Sequence, residues 1–430
     1  MILKGWKRAV TLLCSFTLVV TLTTMWSVAA EKAEIKFTLV CGTHEIPAWQ
    51  SIVDAFNEQS PTIKVVFERL PGGWNEFNQK MMARVAAGDP SDIGRMSPIS
   101  IAGFEKVGAV LDLMPFIEEE GFDLTEYWES AINAWKKEGH MYAFPGGIYT
   151  QAVFYNKGLF DEAGVPYPPT DWKDDTWNLS KMIEYAKKLT KGEGPTKQFG
   201  MYVEVIPDRA SWYLWNNGAD FVNEEKTKST VTEPGAIAAF QLMQDLIWKY
   251  KVATTPVNYK VLGMRDLFTT GRIGMIQSGQ WMLPGLAGIK DLKWGVAPYP
   301  AGTAGRSTII WADAYTIFEG SKHPKEAWEV VKFFAGEGGG SILAEYGLMG
   351  TPVKKSVAEA WRTRLYEPLP PEEKKVWWDS LMYARQVRIP SVWNEYSARI
   401  MEHLELLVLN NISAEEAAQR ISRDVDRLLK

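Results

Sequence analysis

The chain has 430 residues, of which 46% are hydrophobic and 23% charged, and its formal net charge is −5. This composition is typical of a globular protein and excludes wholesale disorder, and the length predicts two domains instead of one core. An acidic surface argues against nucleic acid or an anionic membrane as the main partner. The 19 Trp and 16 Tyr residues indicate surfaces that bind flat or amphipathic partners, with core packing as the alternative for any single tryptophan.

The first thirty residues have the pattern of a secretory signal peptide. A basic segment occupies the first eight positions, an uncharged apolar run follows over residues 9–26, and small residues precede Glu31. This order predicts cleavage near Ala30 and a mature protein in the periplasm or outside the cell. The apolar run is long, so an uncleaved N-terminal anchor is the alternative.

Cysteine and histidine residues do not form a recognisable metal-binding pattern. Cleavage near Ala30 leaves Cys41 as the single cysteine, which excludes an intramolecular disulfide and a cysteine-based metal site. The four histidines lack the spacing of metal ligands on a helix; they are His44, His140, His323 and His403. We therefore expect no metal or other cofactor.

After the signal segment the chain begins with the alternating order of an α/β protein. Residues 35–40 and 63–70 are predicted strands, and residues 47–60 between them have the apolar stripe of a helix. A strand, a helix and a strand in this order start a parallel sheet. Ligands collect at the carboxyl ends of such strands, so the turns that follow them are candidate binding sites.

Both of these turns contain side chains suited to ligand contact. His44 and Glu45 follow the first strand, where capping of the next helix is an equally good explanation. Trp74 follows the second strand after a Pro-Gly-Gly sequence, which predicts that it lies on a loop. A tryptophan on a loop is a better binding candidate than one on a packed face.

Later segments continue in the same alternating manner. Helices are predicted over residues 75–87, 101–110, 127–135, 176–189, 236–250 and 325–334, and strands over residues 141–144, 273–276, 294–300 and 307–318. Residues 111–116 are predicted as a capped turn and the three glycines at 338–340 as a loop. Asp171, Asp174 and Asp175 suggest a calcium site but lack the EF-hand pattern, so a capped, solvated turn is the favoured interpretation.

Two later segments indicate a second packed unit. One is predicted to connect the two units, and the other is a strand end within the second unit. Residues 145–157 begin as a glycine-containing loop and continue as an apolar strand-like run, which predicts a crossover between two units. The strand from residue 273 ends in a polar turn that contains Gln277, Ser278 and Trp281, an arrangement similar to the turn after the first strand. These three residues are therefore candidate ligand contacts.

The extended segment 307–318 has its own candidates at alternating positions. Trp311, Asp313 and Tyr315 point to one side of a strand, where a carboxylate between two aromatic rings suits the hydroxyl groups of a ligand. The alternative is a buried structural aspartate, which still needs hydrogen-bond partners.

Several segments, taken in order, resemble one protein family. They are Gly88, Pro90 and Asp92; Phe154, Tyr155, Asn156, Lys157, Leu159, Phe160, Ala163, Gly164 and residues 168–170; Phe268, residues 271–275 and Trp281; residues 294–300 with Gly302; and residues 322–334. On these residues the chain resembles a bacterial extracellular solute-binding protein of the sugar-binding, maltose-binding-protein-like family that serves ABC importers. The resemblance covers nearly all of the chain after the signal segment.

The resemblance implies a periplasmic-binding-protein type II fold, in which about three crossover segments join two α/β lobes with a ligand cleft between them. The N-terminal lobe would comprise residues 31–148 and 312–348, and the C-terminal lobe residues 149–311 and 349–430. The crossovers would lie near residues 145–157, 309–314 and 348–353. Tyr149 and Gln151 would then lie at the hinge floor, close to the ligand.

Further tryptophans of the second lobe are candidate contacts, Trp212 and Trp215 from the family resemblance and Trp393 from its position in the sequence. Trp212 and Trp215 belong to a segment that borders the cleft, although their spacing of three also fits a packed helix face. Trp393 follows Pro390 at a predicted helix start and is expected to face the cleft.

The implied function is capture of a neutral saccharide and its delivery to the membrane permease of an ABC transporter, by a monomer without enzymatic activity. A pyranose has apolar C–H faces and a rim of hydroxyls, which match aromatic rings and polar side chains. One alternative is the same fold with a polyamine, a peptide or glycerol phosphate as its ligand. A second is a secreted glycoside hydrolase with Glu45 and Asp313 as its two carboxylates.

Overall fold

The computed structural model describes residues 32–255, 262–348, 350–364 and 369–430, and for His44 and Asn75 it describes the backbone alone. The predicted signal segment and its cleavage position lie outside the described residues. Met349, within the predicted third crossover, also lies outside them. Among the described helices, none is long and apolar enough to cross a membrane.

The described strands and helices alternate along most of the chain. The strands are β1 (Ala33–Val40), β2 (Ile63–Leu70), β3 (Ile93–Met96), β4 (Lys136–Lys137), β5 (His140–Met141), β6 (Phe144–Asn156), β7 (Phe199–Met201), β8 (Ile273–Gly279), β9 (Trp294–Ala297), β10 (Thr308–Ile317), β11 (Thr351–Pro352) and β12 (Ala384–Gln386). The helices of the first half are α1 (Ile46–Gln59), α2 (Trp74–Ala86), α3 (Pro98–Lys106), α4 (Met114–Glu120), α5 (Glu129–Trp135), α6 (Lys157–Glu162), α7 (Leu179–Leu189) and α8 (Pro207–Trp215). Those of the second half are α9 (Pro234–Trp248), α10 (Met264–Thr269), α11 (Leu283–Ala287), α12 (Pro324–Ala335), α13 (Glu337–Glu345), α14 (Lys355–Ala360), α15 (Pro371–Ser380), α16 (Trp393–Val408) and α17 (Ala414–Leu428).

One sheet path connects the two halves of the molecule, in the order β2, β1, β3, β10, β6, β8 and β7. β1 is parallel to β2 and β3, whereas β10 is antiparallel to both β3 and β6. β6 then pairs antiparallel with β8 and β9, and β8 pairs parallel with β7. The predicted parallel α/β start is therefore present, and β6 belongs to the sheets of both halves.

Two hydrophobic cores flank this long strand. Ile148 and Tyr149 of β6 pack in the first core, and Ala152 and Val153 pack in the second. β10 divides in the same way, since Ile309 belongs to the second core and its neighbours further along the strand to the first. The α/β class predicted from the sequence is confirmed, with two lobes that share β6 and β10.

Four local predictions differ from the structure, and one of them is the glycine-containing loop predicted at the start of residues 145–157, which is part of strand β6. The glycines at 338–340 are part of helix α13 and not a loop. A Cβ at Gly338 would overlap Phe333 of the preceding helix, and a Cβ at Gly339 would overlap Phe334. Glycine is required there by the close approach of two helices. Residues 111–116 are not a simple turn, since α4 begins at Met114. Trp74 is not on a loop but is the first residue of α2.

The partly buried Arg306 holds the acidic turn at residues 171–177, which the sequence suggested as a weak calcium site. The Arg306 guanidinium donates hydrogen bonds to the carbonyl oxygens of Trp172, Asp174 and Trp177, the last two at 2.7 Å. The Asp174 side chain accepts a hydrogen bond from the amide of Thr176, at 2.9 Å, as expected for a capped turn. In the described part of the chain no group of three or more His, Cys, Asp or Glu residues is arranged to hold a metal ion.

Candidate functional site

A cavity of about 420 Å³ lies between the two cores, within the size range of small-molecule sites. The first lobe contributes Val40, Cys41, Gly42, Glu45, Arg69, Gly72, Gly73, Trp74, Arg95, Ser97, Ile99, Gly347 and Leu348. The second lobe contributes Asp208, Arg209, Gln280, Trp281 and Pro284, and the crossover strands contribute Tyr149, Trp311 and Asp313. Ile99 also packs against the second core, so the two lobes meet beside the cavity.

The fold brings these residues together at strand ends. Glu45 lies in the turn after β1, and its side chain accepts a hydrogen bond from the amide of Gly42 at 3.0 Å. Trp74 begins the helix that follows β2, and Arg95 lies near the end of β3. The carboxyl ends of adjacent parallel strands thus form the first wall, as this sheet type predicts.

Arg95 is the centre of that wall. Its Nη2 lies 2.5 Å from Oδ2 of Asp313 and 3.2 Å from the hydroxyl of Tyr149, and its Nη1 lies 3.8 Å from Oε2 of Glu45. The guanidinium also lies over the indole of Trp74, 5.6 Å from the ring centroid. One cation therefore holds two carboxylates, a phenol and a tryptophan around the cavity.

Burial and charge act in opposite directions on this cluster. Burial disfavours the charged form of Arg95, but the attraction of Asp313 and other neighbours outweighs it and raises the pKa of the guanidinium. Burial also raises the pKa of Asp313, and Arg95 opposes that rise. We treat the pair as ionised at neutral pH, because Arg95 keeps its proton and its short contact favours the carboxylate.

The second wall repeats the association of an arginine with a tryptophan. Arg209 lies over the ring of Trp281, 5.8 Å from its centroid, and 3.9 Å from Oε2 of Glu204. Trp281 is also 6.1 Å from the ring of Tyr149 on the crossover. A Cβ at Gly279 would overlap the Trp281 indole, so glycine is needed where the ring lies against β8.

Two buried carboxylates accompany Arg209 at the start of α8. Asp208 lines the cavity, Glu204 lies beside Arg209 without lining the cavity, and both carboxylates are less than 9% exposed. Burial raises the pKa of each carboxyl, while Arg209 opposes the rise. The wall thus offers the cavity the Asp208 carboxyl as a hydrogen-bond acceptor, beside the Arg209 cation.

The cavity brings together six of the residues predicted from the sequence, which are Glu45, Trp74, Tyr149, Trp281, Trp311 and Asp313. The side chain of His44 lies outside the described part of the structure. Seven other candidates are buried and do not line the cavity, namely Gln151, Trp212, Trp215, Gln277, Ser278, Tyr315 and Trp393.

Some of these buried candidates have partners that explain their position. Trp215 donates its indole N–H to Asp220 at 2.9 Å. Tyr315 packs against Phe37 in the first core, with ring centroids 6.0 Å apart, and Trp393 packs against Tyr396 at 5.4 Å. Trp215 and Trp393 thus have the core-type packing that was the alternative explanation for any single tryptophan.

The sequence did not indicate several residues that line the cavity. Arg95 lies on a four-residue strand whose residues are all buried, and a charged residue within such a strand is the signal that could have identified it. Asp208 and Arg209 follow Pro207 at the start of a helix, where a proline marks the first turn. Gln280 ties this wall to the crossover, because its side chain accepts the amide N–H of Thr150 at 2.9 Å.

Comparisons with known proteins agree with this architecture. The family model for bacterial extracellular solute-binding proteins matches residues 42–341. A binding protein of Brucella abortus is 26% identical over 71% of this chain and 72% of its own length. The maltotriose-binding protein of Pyrococcus abyssi is 22% identical over 68% of this chain and 60% of its own length. An ABC substrate-binding protein from Listeria monocytogenes, solved in complex with cycloalternan, superposes with a TM-score of 0.83 at 23% identity, over 93% of this chain and 99% of that one. With a family model matched over more than half of its length, the chain belongs to the bacterial extracellular solute-binding proteins.

Proposed function

We propose that this protein captures a neutral saccharide in the cavity between its lobes and delivers it to the membrane permease of an ABC transporter. The observation that carries the proposal is the composition of the cavity walls. Tryptophan or tyrosine rings come from both lobes and from the crossovers, and each lobe adds an arginine with carboxylates. Such walls suit the apolar faces and the hydroxyl rim of a pyranose.

The size of these contacts is sufficient for useful affinity. One desolvated aromatic contact in a binding site supplies about 2 kcal/mol, and Trp74, Trp281 and Trp311 all line the cavity. Three such contacts with charge-assisted hydrogen bonds reach micromolar affinity after the costs of ordering, which corresponds to about 8 kcal/mol.

The charges that line the cavity support a neutral ligand. Glu45, Asp208 and Asp313 are matched by Arg69, Arg95 and Arg209, so neither sign is in excess among the lining residues. A phosphate or a polyamine would require a surplus of one sign. The names of two similar proteins, which refer to maltotriose and cycloalternan, favour saccharide over the polyamine, peptide and glycerol phosphate alternatives.

We further propose that the lobes comprise residues 31–148 with 312–348 and residues 149–311 with 349–430, and that they close over the ligand. A ligand drives closure only if it binds the closed form better than the open one. Contacts to Trp74 in one lobe and to Trp281 in the other meet this condition, because a saccharide touches both only when the lobes approach each other. Val353 packs in the first core, which suggests that the last boundary lies a few residues later.

The protein is proposed to bind without catalysis. A hydrolase needs its two carboxylates on opposite sides of the scissile bond, whereas Glu45 and Asp313 both contact the same cation, Arg95. We also propose secretion with cleavage near Ala30 and a monomeric state, which follow from the signal pattern and from the family. Incubation with oligosaccharides, followed by an assay for new reducing ends, tests the hydrolase alternative.

A thermal-shift panel of mono-, di- and oligosaccharides tests the main proposal. A ligand that binds only the folded protein raises its stability by about 2.7 kcal/mol at a hundred times its Kd. We expect an increase in Tm with one saccharide class and none with polyamines or glycerol phosphate. Absence of any shift across the saccharides would contradict the proposal. Small-angle scattering with the bound sugar then checks for compaction.

A further inference from the structure

A cluster of buried polar side chains lies in the second lobe, outside the lining of the cavity. This buried polar cluster consists of Gln151, Glu204, Trp212, Gln277 and Tyr299, each at most 4% exposed. The proposed function gives no role to these side chains where they stand. They therefore require a separate explanation.

Strand pairing puts the two glutamines on one face of the sheet. In the pairing of β6 with β8, Gln151 is opposite Gly279 and Val153 is opposite Gln277. Opposed residues share a face, and so do residues two apart on a strand. Gln151 and Gln277 are therefore diagonal neighbours, close enough for long side chains to enclose one guest.

Two aromatic residues complete the cluster. The hydroxyl of Tyr299 donates a hydrogen bond to Oε1 of Gln151 at 2.8 Å, and its ring stacks on Trp212 with centroids 4.7 Å apart. The Glu204 carboxylate belongs to the same neighbourhood, because after burial its charge is the next cause that raises the pKa of Tyr299. Polar groups thus lie close together beside β6 and β8.

Several polar atoms of the buried polar cluster lack a hydrogen-bond partner. Nε2 and Oε1 of Gln277, Nε2 of Gln151 and Nε1 of Trp212 have no hydrogen-bond partner among the described residues. Each buried polar group left in this state costs about 1 to 3 kcal/mol, and native proteins contain few of them. A guest with hydroxyl groups satisfies this set, because a hydroxyl both donates and accepts.

Arg209 connects the cluster with the cavity. Its side chain lines the cavity, reaches Glu204 at 3.9 Å and remains 40% exposed. Close packing therefore does not fix it, and a rotation of this side chain would open the second wall towards Glu204 and Tyr299.

We propose that the buried polar cluster is a second, deeper subsite that takes a hydroxyl-bearing group of the saccharide, admitted past Arg209. The inference rests on the proposed function, since the saccharide supplies the guest. Water has the same hydrogen-bonding chemistry and is the competing occupant. Occupation by the saccharide predicts a loss of affinity when the amide of Gln277 is removed, and occupation by water alone does not.

The test compares two buried glutamines in the same lobe. Gln277→Met keeps the side-chain length and removes both unpartnered atoms. Gln244→Met is the matched control, because the Gln244 amide already donates to the carbonyls of Leu407 and Ile412 at 3.1 and 3.0 Å. Kd is measured calorimetrically with glucose, maltose, cellobiose, maltotriose and raffinose, and Tm is measured on the ligand-free proteins.

The two variants are expected to show opposite patterns. Gln277→Met raises the Kd of the most tightly bound of these saccharides about five- to tenfold, which corresponds to the loss of one or two hydrogen bonds. The Tm of the ligand-free variant is unchanged or higher. Gln244→Met lowers Tm and leaves Kd unchanged. Trp212→Phe removes one further unpartnered donor and serves as the second test if Gln277→Met does not fold.

Each outcome is decisive. If Gln277→Met and Trp212→Phe bind the saccharide with the Kd of the wild type, the cluster holds water and the deeper subsite is refuted, while saccharide capture stands. If the wild type binds none of the five sugars, saccharide capture itself is contradicted and the subsite is rejected with it.

Discussion

Arg95→Met removes the one cation in the first wall that contacts both Asp313 and Glu45. The buried Asp313 carboxylate then loses its partner at 2.5 Å. Breaking a buried ion pair from one side costs about 3 to 5 kcal/mol, and for a lobe of about 200 residues this lowers Tm on the order of 10 °C. Thermal unfolding at neutral pH, followed by circular dichroism, measures the loss.

The pH dependence of this loss identifies its cause. Burial holds the pKa of Asp313 above its ordinary value, and Arg95 opposes that rise, so removal of Arg95 moves the pKa further upward. A carboxyl whose folded-state pKa is raised favours folding increasingly as pH falls towards its unfolded value of about 3.9. The penalty of Arg95→Met should therefore be largest at neutral pH and shrink in acid.

A double variant provides the control. Arg95→Met with Asp313→Asn removes both charges, so it should recover part of the stability that Arg95→Met alone loses. If the double variant is as unstable as the sum of the two single variants, or if the penalty is the same at pH 5 and pH 7, then loss of packing and not an unpaired charge explains the effect.

Three further predictions concern the cavity and the acidic turn. Trp281→Ala should raise the Kd of a bound saccharide about 30-fold by calorimetry, corresponding to about 2 kcal/mol, while Trp248→Ala, a 44% exposed tryptophan on α9, should leave it unchanged. Burial raises the pKa of Cys41 to about 11, so this cavity-lining thiol should react slowly with iodoacetamide at pH 8. The reaction should be slower still with saccharide bound, and equal rates with and without saccharide would place the sugar elsewhere. Arg306→Lys cannot donate to three carbonyls in a fixed plane, so it should lower Tm and expose the turn at residues 171–177 to proteolysis without a change in Kd.

Local periodicity explains what the sequence predicted correctly. The alternation in residues 35–40 and 63–70 corresponds to β1 and β2, and the stripe over residues 47–60 corresponds to α1. β2 and α1 each bury mainly one face, and β1 is buried on both faces over residues 37–40, so the apolar residues of these elements mark positions that pack in the core. Glu45 in the turn after β1 and Trp74 at the start of α2 line the cavity, because both follow the carboxyl ends of parallel strands.

Local sequence patterns do not predict contacts between residues that are far apart in the chain. Arg95 and Asp313 are 218 positions apart, and no local pattern indicates that β3 and β10 are neighbours. The three glycines at 338–340 seemed to break a helix, because helix propensity disfavours glycine. The role of Gly338 and Gly339 depends on Phe333 and Phe334, where the absence of a side chain allows two helices to approach.

The buried tryptophans show a second feature that spacing in the sequence does not determine. Trp212 and Trp215 have a spacing of three, which fits a ligand platform and a packed helix face equally well. The structure buries both, because every residue of α8 from Ala210 to Trp215 lies in the interior. Sequence spacing states which side chains share a face but not what covers that face.

The crossover strands link ligand contact to lobe movement. Tyr149 on β6 and Asp313 on β10 line the cavity, and these are the two strands that both lobes share. A ligand that touches the crossovers alone gains the same contacts whether the lobes are open or closed, so these contacts add affinity without favouring closure. If the lobes close as proposed, contacts from Trp74 and from Trp281 form together only in the closed arrangement. The crossover residues Tyr149 and Asp313 therefore contribute affinity in either state. The wall residues Trp74 and Trp281 contribute the difference in affinity between the two states that favours closure.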